Sequence, residues 1–320
     1  MGSLIQGRRT IAVVISVMAA LSLTGALLYF HAQEPRPPKA AIIDQLSSSK
    51  LTDSSRYVNQ TFIAAAKALL HTRFTEVDYY SDNATVDSYK SLPSMGYKLI
   101  VWRAHSAIDE SGYVAISTSE NNGSKDYNQY SNGELTLCKI LGDPKMYFAI
   151  TPKFITEVMS GRFEDTVIIL MSCNGLESYH AKTAEALVEK GARALISWDG
   201  WIETYNNDGA TALLLDYLIN ENDTIEQAVR KIPMQPSALG PSQMHFFPTG
   251  SEASDYRIPN YVKKTVANPT GVDVARRLRK ASIERHDGTD YEFEVNVAKS
   301  LNASSASKRS KTTGYEETPP

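Results

Sequence analysis

The sequence predicts an α/β fold: a three-layer sandwich with a mostly parallel central sheet, preceded by one N-terminal transmembrane helix. Three predominantly apolar runs stand at residues 97–102, 166–171 and 192–197, and such runs are typical of strands buried on both faces of a parallel sheet. Helical patterns alternate with them, which implies right-handed crossovers and parallel pairing. The predicted membrane helix rests on an uncharged stretch at residues 11–30, long enough to cross a bilayer.

The other elements follow from shorter patterns. Further strands are predicted at residues 40–44, 77–80, 113–118 and 135–140. Helices are predicted at residues 57–73, from near Pro152, at 177–190 and at 208–219. Pro152 suits a first helical turn, and Gly191 is a typical helix stop. Strands and helices therefore alternate at both ends of the predicted domain, with four predicted strands in succession at residues 77–140.

Composition divides the chain into segments of different character. The predicted segments are a cytoplasmic N-terminus (1–10), a transmembrane anchor (11–30), a proline-rich linker (31–39), the α/β domain (40–240), a C-terminal extension (241–298) and a disordered tail rich in Ser, Lys and Thr (299–320). The extension contains a basic helical stretch and a strand-like run at 291–297. Three roles stay open for it: it could complete the edge of the domain, dock a partner or form a small separate unit.

The uncharged stretch is interpreted as an uncleaved anchor rather than a removed signal peptide. Leu28, Tyr29 and Phe30 are bulky where a signal-peptide cleavage site would have small residues. The two aromatic side chains also suit a membrane surface. N-x-S/T triplets are acceptors for glycans only outside the cytoplasm, and five begin at Asn59, Asn83, Asn122, Asn222 and Asn302. We therefore expect a single-pass membrane glycoprotein with its C-terminal domain extracytoplasmic and the lipid bilayer as a partner.

Composition and motifs exclude several functions. A formal charge of −3 and the lack of a basic, aromatic-rich stripe argue against nucleic acid as a partner. Two cysteines are too few for a disulfide scaffold or a cysteine-rich zinc site. Spacings typical of a metal site or a phosphate-binding loop do not occur. We expect neither a metal nor a cofactor.

A histidine and a cysteine follow two of the strongest predicted strands. His105 comes just after the run at 97–102, and Cys173 just after the run at 166–171. Catalytic groups gather beyond the carboxyl ends of parallel strands, so neighbouring strands would bring these two side chains close together. A thiolate is a nucleophile, and an imidazole can move its proton. Backbone N–H groups at Ser106 and Cys173 could stabilise an oxyanion.

This arrangement resembles the caspase-like cysteine peptidase clan, which includes caspases, legumain, gingipains, separases and CHAT domains. The resemblance covers residues 40–231 and implies a caspase-like fold, with His105 as the catalytic histidine and Cys173 as the nucleophile. It also implies an oxyanion donor in the turn after the histidine. The chain departs from the clan at Ser106, where glycine is usual, and at Ser172, where a small apolar residue is usual.

Residues for substrate recognition are predicted after the run at 192–197. The resemblance implies that this region lines the pocket for the residue that precedes the cut bond. Asp199 could then pair with a substrate arginine or lysine, and Trp198 and Trp201 could form apolar walls. The alternative is that Asp199 is a turn or cap residue and that both tryptophans only pack.

The expected function is that of a membrane-anchored extracytoplasmic cysteine peptidase acting on proteins or peptides near the cell surface. A catalytically inactive caspase-like binding or scaffold module and a thiol-dependent peptidyl transferase are the alternatives. A disulfide between Cys138 and Cys173 would favour the inactive module, because two cysteines in an oxidising compartment commonly pair. His180 is the alternative to His105 as the catalytic base.

Overall fold

The computed structural model describes residues 37–140, 142–177 and 181–262. The strands in these ranges are β1 (Lys39–Asp44), β2 (Glu76–Tyr80), β3 (Tyr97–Arg103), β4 (Ser106–Ile108), β5 (Val114–Asn121), β6 (Leu135–Lys139), β7 (Met146–Ile150), β8 (Thr166–Met171), β9 (Ala192–Trp198) and β10 (Met244–Phe247). The α-helices are α1 (Gln60–Leu70), α2 (Val86–Ser91), α3 (Asn128–Ser131), α4 (Lys182–Glu189), α5 (Thr204–Ile219), α6 (Ile225–Arg230) and α7 (Ser251–Ser254).

The central sheet has six strands in the order β10-β9-β8-β3-β1-β2. Five of these strands run parallel to their neighbours, and β10 pairs antiparallel with β9. The sheet is therefore mixed and mostly parallel, which confirms the predicted α/β class and is compatible with a three-layer sandwich. All three strong apolar runs are central strands, and every residue of β8 is buried.

Apolar side chains on the two faces of the sheet belong to two separate cores. Ile42, Val101 and Ile169 point into one core, which also holds apolar residues of α1, α5 and α6. Their sequence neighbours Ile43 and Ile100 point into the other core, which holds residues of α2 and α4. Because successive side chains of a strand face opposite sides, a continuous apolar run is required where helices cover both faces.

Several helices begin and end at residues with a clear local reason. Asn59 accepts the N–H of Phe62 at the start of α1, at 3.0 Å. Capping boxes start α2 at Thr85 and α6 at Thr224. The helix α4 ends at Glu189, and Gly191 follows with φ +106°, a backbone conformation that favours glycine. The predicted helix stop at Gly191 is confirmed.

A second, four-stranded antiparallel sheet lies in the chain between β3 and β8, in the order β4-β5-β7-β6. Two of its strands were predicted, whereas β4 and β7 were not, and the three residues of β4 are too few for a periodic signal. The helix predicted from near Pro152 is a π-helical turn at Phe154–Val158. Three 3-10 turns complete the described elements, at Gln45–Ser47, Ser54–Arg56 and Leu92–Ser94.

The C-terminal extension contributes to the central sheet. Residues 244–247, for which no strand was predicted, are the edge strand β10 paired with β9. The first part of the extension therefore completes the edge of the domain, one of the three roles left open for it. The basic stretch, the run at 291–297 and the tail lie outside the described residues.

The predicted anchor at 11–30 and most of the linker also lie outside the described residues. Within the described ranges, no helix is both long enough and apolar enough to cross a bilayer.

The direction in which successive strands are added to the sheet reverses between β1 and β3. The chain proceeds from β1 to β2 on one side, and then from β3 to β8 and β9 on the other side. In open α/β sheets, ligands bind in the crevice outside the carboxyl ends of the strands at such a switch point. The residues that follow β1, β3 and β8 therefore define the candidate site.

Candidate active site

His105 and Cys173 lie at the same edge of the sheet. The strands β3 and β8 are parallel neighbours with Arg103 opposite Met171, two residues before His105 and Cys173 respectively. Beyond the strand ends, the Ser106 hydroxyl donates to the carbonyl oxygen of Cys173 at 2.7 Å. The structure thus brings together the segments of the two predicted residues, while their catalytic roles stay a prediction.

The backbone and ring of His105 are held from three sides. Its N–H donates to Gln45 Oε1 at 3.1 Å, and its carbonyl oxygen accepts the N–H of Ser117 at 2.9 Å. The imidazole lies edge-on to the ring of Tyr57, with 4.8 Å between the ring centroids. Nε2 is buried and has no hydrogen-bond partner in the described part of the chain. The backbone and ring of His105 are therefore held in place, but Nε2 is not bonded to the Cys173 thiol.

The environment of His105 favours its neutral form. Burial lowers its pKa, and the nearby Arg103 guanidinium lowers it further, whereas the Asp143 carboxylate acts in the opposite direction. The resulting pKa is about 4, against an ordinary value of 6.5. At neutral pH the imidazole is uncharged and able to accept a proton.

The Cys173 thiol contacts the backbone of the loop that follows β9. Sγ donates to the carbonyl oxygen of Ile202 at 3.6 Å and accepts the Ile202 N–H at 3.5 Å. The next residue, Asn174, has φ +57° and donates its N–H to Gly200 at 2.8 Å. The turn that carries Cys173 is therefore packed directly against residues 200–202.

Gly175 allows this close approach. A Cβ at Gly175 would lie 2.8 Å from Ser197 Cβ and 3.2 Å from Leu170 Cδ2. The Ser197 hydroxyl donates to the Leu170 carbonyl at 2.7 Å, so it is itself held in place. A side chain at this position would push the Cys173 turn away from the sheet.

Asp199 is bound within its own chain. Its Oδ1 accepts the Gln243 N–H at 2.7 Å and the Ser242 hydroxyl at 3.2 Å. Its Oδ2 lies 3.1 Å from His245 Nε2. These contacts fasten the end of β9 to the start of β10. Recognition of a substrate cation by Asp199 stays a prediction, and it would compete with His245.

The two tryptophans differ in their surroundings. Trp198 is fully buried, and its indole N–H donates to Asn207 Oδ1 at 3.0 Å. Trp198 therefore packs in the core, as the alternative expected, and contact with a substrate would require its side chain to leave the core. Trp201 is half-buried, and its indole N–H has no hydrogen-bond partner among the described residues. Contact between Trp201 and a substrate stays a prediction.

A buried ion cluster at the same edge was missed by the sequence reasoning. Arg103 donates from Nε to Asp208 Oδ1 at 2.7 Å and from a terminal nitrogen to Asp44 Oδ1 at 2.8 Å. A third contact reaches the Tyr57 carbonyl at 2.6 Å. Burial acts to lower the pKa of Arg103, but the Asp208 and Asp44 carboxylates outweigh it and the net shift is upward. Arg103 therefore stays charged.

Part of this cluster has a signal in the sequence. Asp44 and Arg103 stand directly at the ends of apolar runs that form adjacent strands. A buried charge of each sign at two such ends indicates an ion pair, because an unpaired buried charge is very unfavourable. Asp208 has no such signal, since it lies within the predicted helix at 208–219.

The two cysteines are both free thiols in this structure. Cys138 lies in β6 of the second sheet, buried among small side chains, and burial raises its pKa to about 11. The disulfide alternative is therefore not formed here, and Cys138 is suited to serve as an unreactive internal reference. His180, the substitute base, lies outside the described residues.

Neither protein-family models nor curated protein sequences give a match to this chain.

Proposed function

We propose that this protein is a caspase-like cysteine peptidase in which His105 and Cys173 form the catalytic dyad. The observation that supports this most is the hydrogen bond from Ser106 to the Cys173 carbonyl, which links the turns after β3 and β8. The site also lies next to the switch point of the sheet, where ligands bind in open α/β folds.

The proposed reaction proceeds through a thioester. Cys173 Sγ attacks the carbonyl carbon of a peptide bond while His105 accepts the thiol proton. The carbon–nitrogen bond then breaks, and the imidazolium returns the proton to the leaving amine. Water, deprotonated by His105, hydrolyses the thioester and restores the thiol. Backbone N–H groups of Ser106 and Cys173 are the proposed oxyanion donors.

The low pKa of His105 argues against a resting imidazolium–thiolate ion pair. With a pKa of about 4, the imidazole is neutral before the substrate binds. The thiol proton, which faces the Ile202 carbonyl at rest, must turn toward His105 for attack. Once protonated, an imidazole of low basicity gives up its proton readily to the leaving amine.

The proposed setting is the outer face of a membrane. Residues 11–30 would anchor the chain, and the proline-rich linker would hold the domain away from the lipid. Substrates would then be proteins or peptides close to the cell surface. Asp199 is the proposed recognition group for a cationic substrate residue, in competition with His245.

One observation favours the second candidate, a catalytically inactive binding module on the same fold. Nε2 of His105 has no hydrogen-bond partner among the described residues, so the dyad is not preassembled through this atom. An inactive relative could keep both side chains for packing alone. Catalytic hydrogen bonds also tighten only in the substrate complex in many enzymes, so a functional experiment must decide.

That experiment measures the alkylation of each cysteine by iodoacetamide across a pH series, by mass spectrometry on the full chain. A catalytic Cys173 reacts with iodoacetamide at pH values well below the ordinary thiol pKa of about 8.5. His105→Ala is expected to slow this reaction. Cys138→Ala is the matched control and leaves it unchanged. His180→Ala tests the substitute base.

Hydrolysis is measured in parallel with a mixed peptide library. Cys173→Ser and His105→Ala are expected to abolish product formation, whereas Cys138→Ala keeps it. New peptide–amine products in the presence of an added amine would indicate transfer rather than hydrolysis. If Cys173 reacts no faster than an ordinary thiol and no peptide is cut, the binding module is the correct function.

A further inference from the structure

We propose that Glu203 is a positioning residue for the nucleophile: it holds the Ile202 N–H against Cys173 Sγ and thereby favours the thiolate. This inference rests on the proposed function and concerns how the thiol becomes reactive. Glu203 does not touch the reacting atoms itself, and it acts through the backbone of the residue before it.

The first observation is the contact between Ile202 and the thiol. The Ile202 N–H donates to Sγ at 3.5 Å, and Ile202 is 5% exposed. A hydrogen bond donated to sulfur favours the charged form of a thiol. Ile202 also lies two residues before α5, a helix of 16 residues whose first N–H groups carry partial positive charge. The Ile202 N–H is thus the donor that stabilises a thiolate, whereas the Ile202 carbonyl accepts from the neutral thiol at 3.6 Å.

The second observation is that Glu203 is buried and acts as an anchor. It is 2% exposed, and its Oε1 accepts the Ala238 N–H at 2.8 Å. Its Oε2 accepts the side-chain amide of Asn206 at 3.4 Å. Among the described residues, none of the groups that shift its pKa is a cation, and burial raises that pKa. Burying a carboxylate without a cation raises the free energy of the folded state. We therefore infer that the contact of Glu203 with Ala238 has a function.

The segment that receives Glu203 is itself well fixed. Gln235 and Ser242 exchange two backbone hydrogen bonds of 2.9 Å and so close a small loop around Ala238. The same loop is tied to Asp199 through Ser242, at 3.2 Å. The short stretch from Asp199 to Glu203 is therefore held at both ends against one rigid loop.

Between these two ends, little freedom remains for Ile202. The Gly200 carbonyl accepts the Asn174 N–H at 2.8 Å, which fixes the stretch against the Cys173 turn as well. Releasing the Glu203 end would let the backbone of Ile202 rotate away from Sγ. The thiolate would then lose a donor, whereas the sheet, the ion cluster and His105 would keep their contacts.

Substitutions at Glu203 separate the effect of side-chain length, and so of reach, from the effect of charge. Glu203→Asp keeps the charge but is one methylene too short to reach Ala238, and Glu203→Gln keeps an oxygen acceptor at the original reach without the charge. We expect Glu203→Asp to slow the alkylation of Cys173 by iodoacetamide at pH 7 by about tenfold, as a rise of about one unit in the thiol pKa would do. Glu203→Gln should react at least as fast as the wild type. Glu189→Asp, an exposed glutamate of α4, is the matched control.

A second variant tests the contact from its other side. Ala238→Pro removes the N–H that Glu203 accepts and leaves Glu203 in place, so it should slow alkylation as Glu203→Asp does. Thermal unfolding of every variant is followed in parallel, because a merely structural role would lower Tm without moving the pH profile of alkylation.

The possible outcomes separate this inference from the proposed function. Wild-type rates for both Glu203→Asp and Ala238→Pro would overturn the positioning role. Slowing by Glu203→Gln without slowing by Glu203→Asp would overturn it too, because charge rather than reach would then matter. If wild-type Cys173 reacts like an ordinary thiol, the proposed function fails first, whatever Glu203 does.

Discussion

The hydroxyl of Ser106 donates a hydrogen bond to the carbonyl oxygen of Cys173, with 2.7 Å between the oxygens. The resemblance to caspase-like peptidases predicts glycine at position 106, and a glycine could not make this bond. The serine therefore joins the turn after β3 to the turn after β8 by its side chain. It fixes the carbonyl of the proposed nucleophile while leaving its own backbone in β4.

The first prediction concerns this bond. Ser106→Ala should lower the free energy of unfolding by about 1 kcal/mol, because the Cys173 carbonyl loses a partly buried donor. It should also slow the alkylation of Cys173, since the turn loses an attachment. Urea unfolding and mass spectrometry measure the two effects. Ser111→Ala, at an exposed loop position, is the control and should change stability by less than about 0.5 kcal/mol. Equal effects at the two positions would contradict the prediction.

The second prediction concerns the buried ion cluster. Arg103→Met removes the cation between Asp44 and Asp208, whose side chains are at most 5% exposed. Leaving buried carboxylates without their partner is expected to cost about 3–5 kcal/mol of unfolding free energy. Urea unfolding at pH 7 measures it. Arg230→Met breaks an exposed ion pair of α6 and should cost less than about 1 kcal/mol.

The ion cluster also offers an internal test. Adding Asp44→Asn and Asp208→Asn to Arg103→Met should recover part of the lost stability, because the two uncompensated charges are removed. A triple variant less stable than Arg103→Met alone would show that the arginine stabilises the fold by packing rather than by neutralising the two carboxylates.

The third prediction concerns acid stability. The folded protein holds the pKa of His105 at about 4, whereas the ordinary value is 6.5. Between these values the unfolded chain binds a proton that the folded chain does not, so stability falls as the pH is lowered from 6.5 toward 4. Above pH 6.5 this contribution is constant. His105→Gln should therefore show a shallower loss of stability on acidification than the wild type.

Urea unfolding at several pH values across that window measures this difference. Comparing the variant with the wild type cancels the contributions of other groups that titrate in the same range. Parallel curves for the two proteins would show that His105 is protonated as easily in the folded state as in the unfolded chain.

The fourth prediction concerns the close approach at Gly175. Gly175→Ala places a Cβ at 2.8 Å from Ser197 Cβ, which should cost about 1–3 kcal/mol and displace the Cys173 turn. The cost should shrink in a Ser197→Gly background, where the opposing atom is absent. Gly123→Ala, in a surface turn, should change stability by less than about 0.5 kcal/mol. An unchanged cost in the double variant would place the strain elsewhere.

The strands that position the candidate site could be predicted from the sequence. The run at 166–171 matches β8 residue for residue, and the run at 97–102 matches β3 to within one residue. A strand buried on both faces needs an apolar side chain at every position, so its signal is local and continuous. The placement of His105 and Cys173 at the carboxyl ends of these strands follows from chain direction alone.

The short strands and the edge strand were less predictable for the same reason. β10 has only four residues, beside a proline, and its pairing with β9 depends on a strand distant in the sequence. The pairing of β10 with β9 explains why Asp199, which stays partly exposed, is bound to Gln243 and His245. Neither contact can be inferred from the residues around Asp199.

The sequence by itself determined the α/β class, the central strands and the sheet edge at which His105 and Cys173 lie, because these depend on local side-chain patterns and on parallel pairing. Only the tertiary structure decided which carboxylates surround Arg103, that Trp198 is buried and that Ile202 contacts the thiol. These contacts join residues far apart in the chain. Ion pairs and backbone contacts between distant segments are set by how the layers pack, and such individual contacts leave no periodic signal in the sequence.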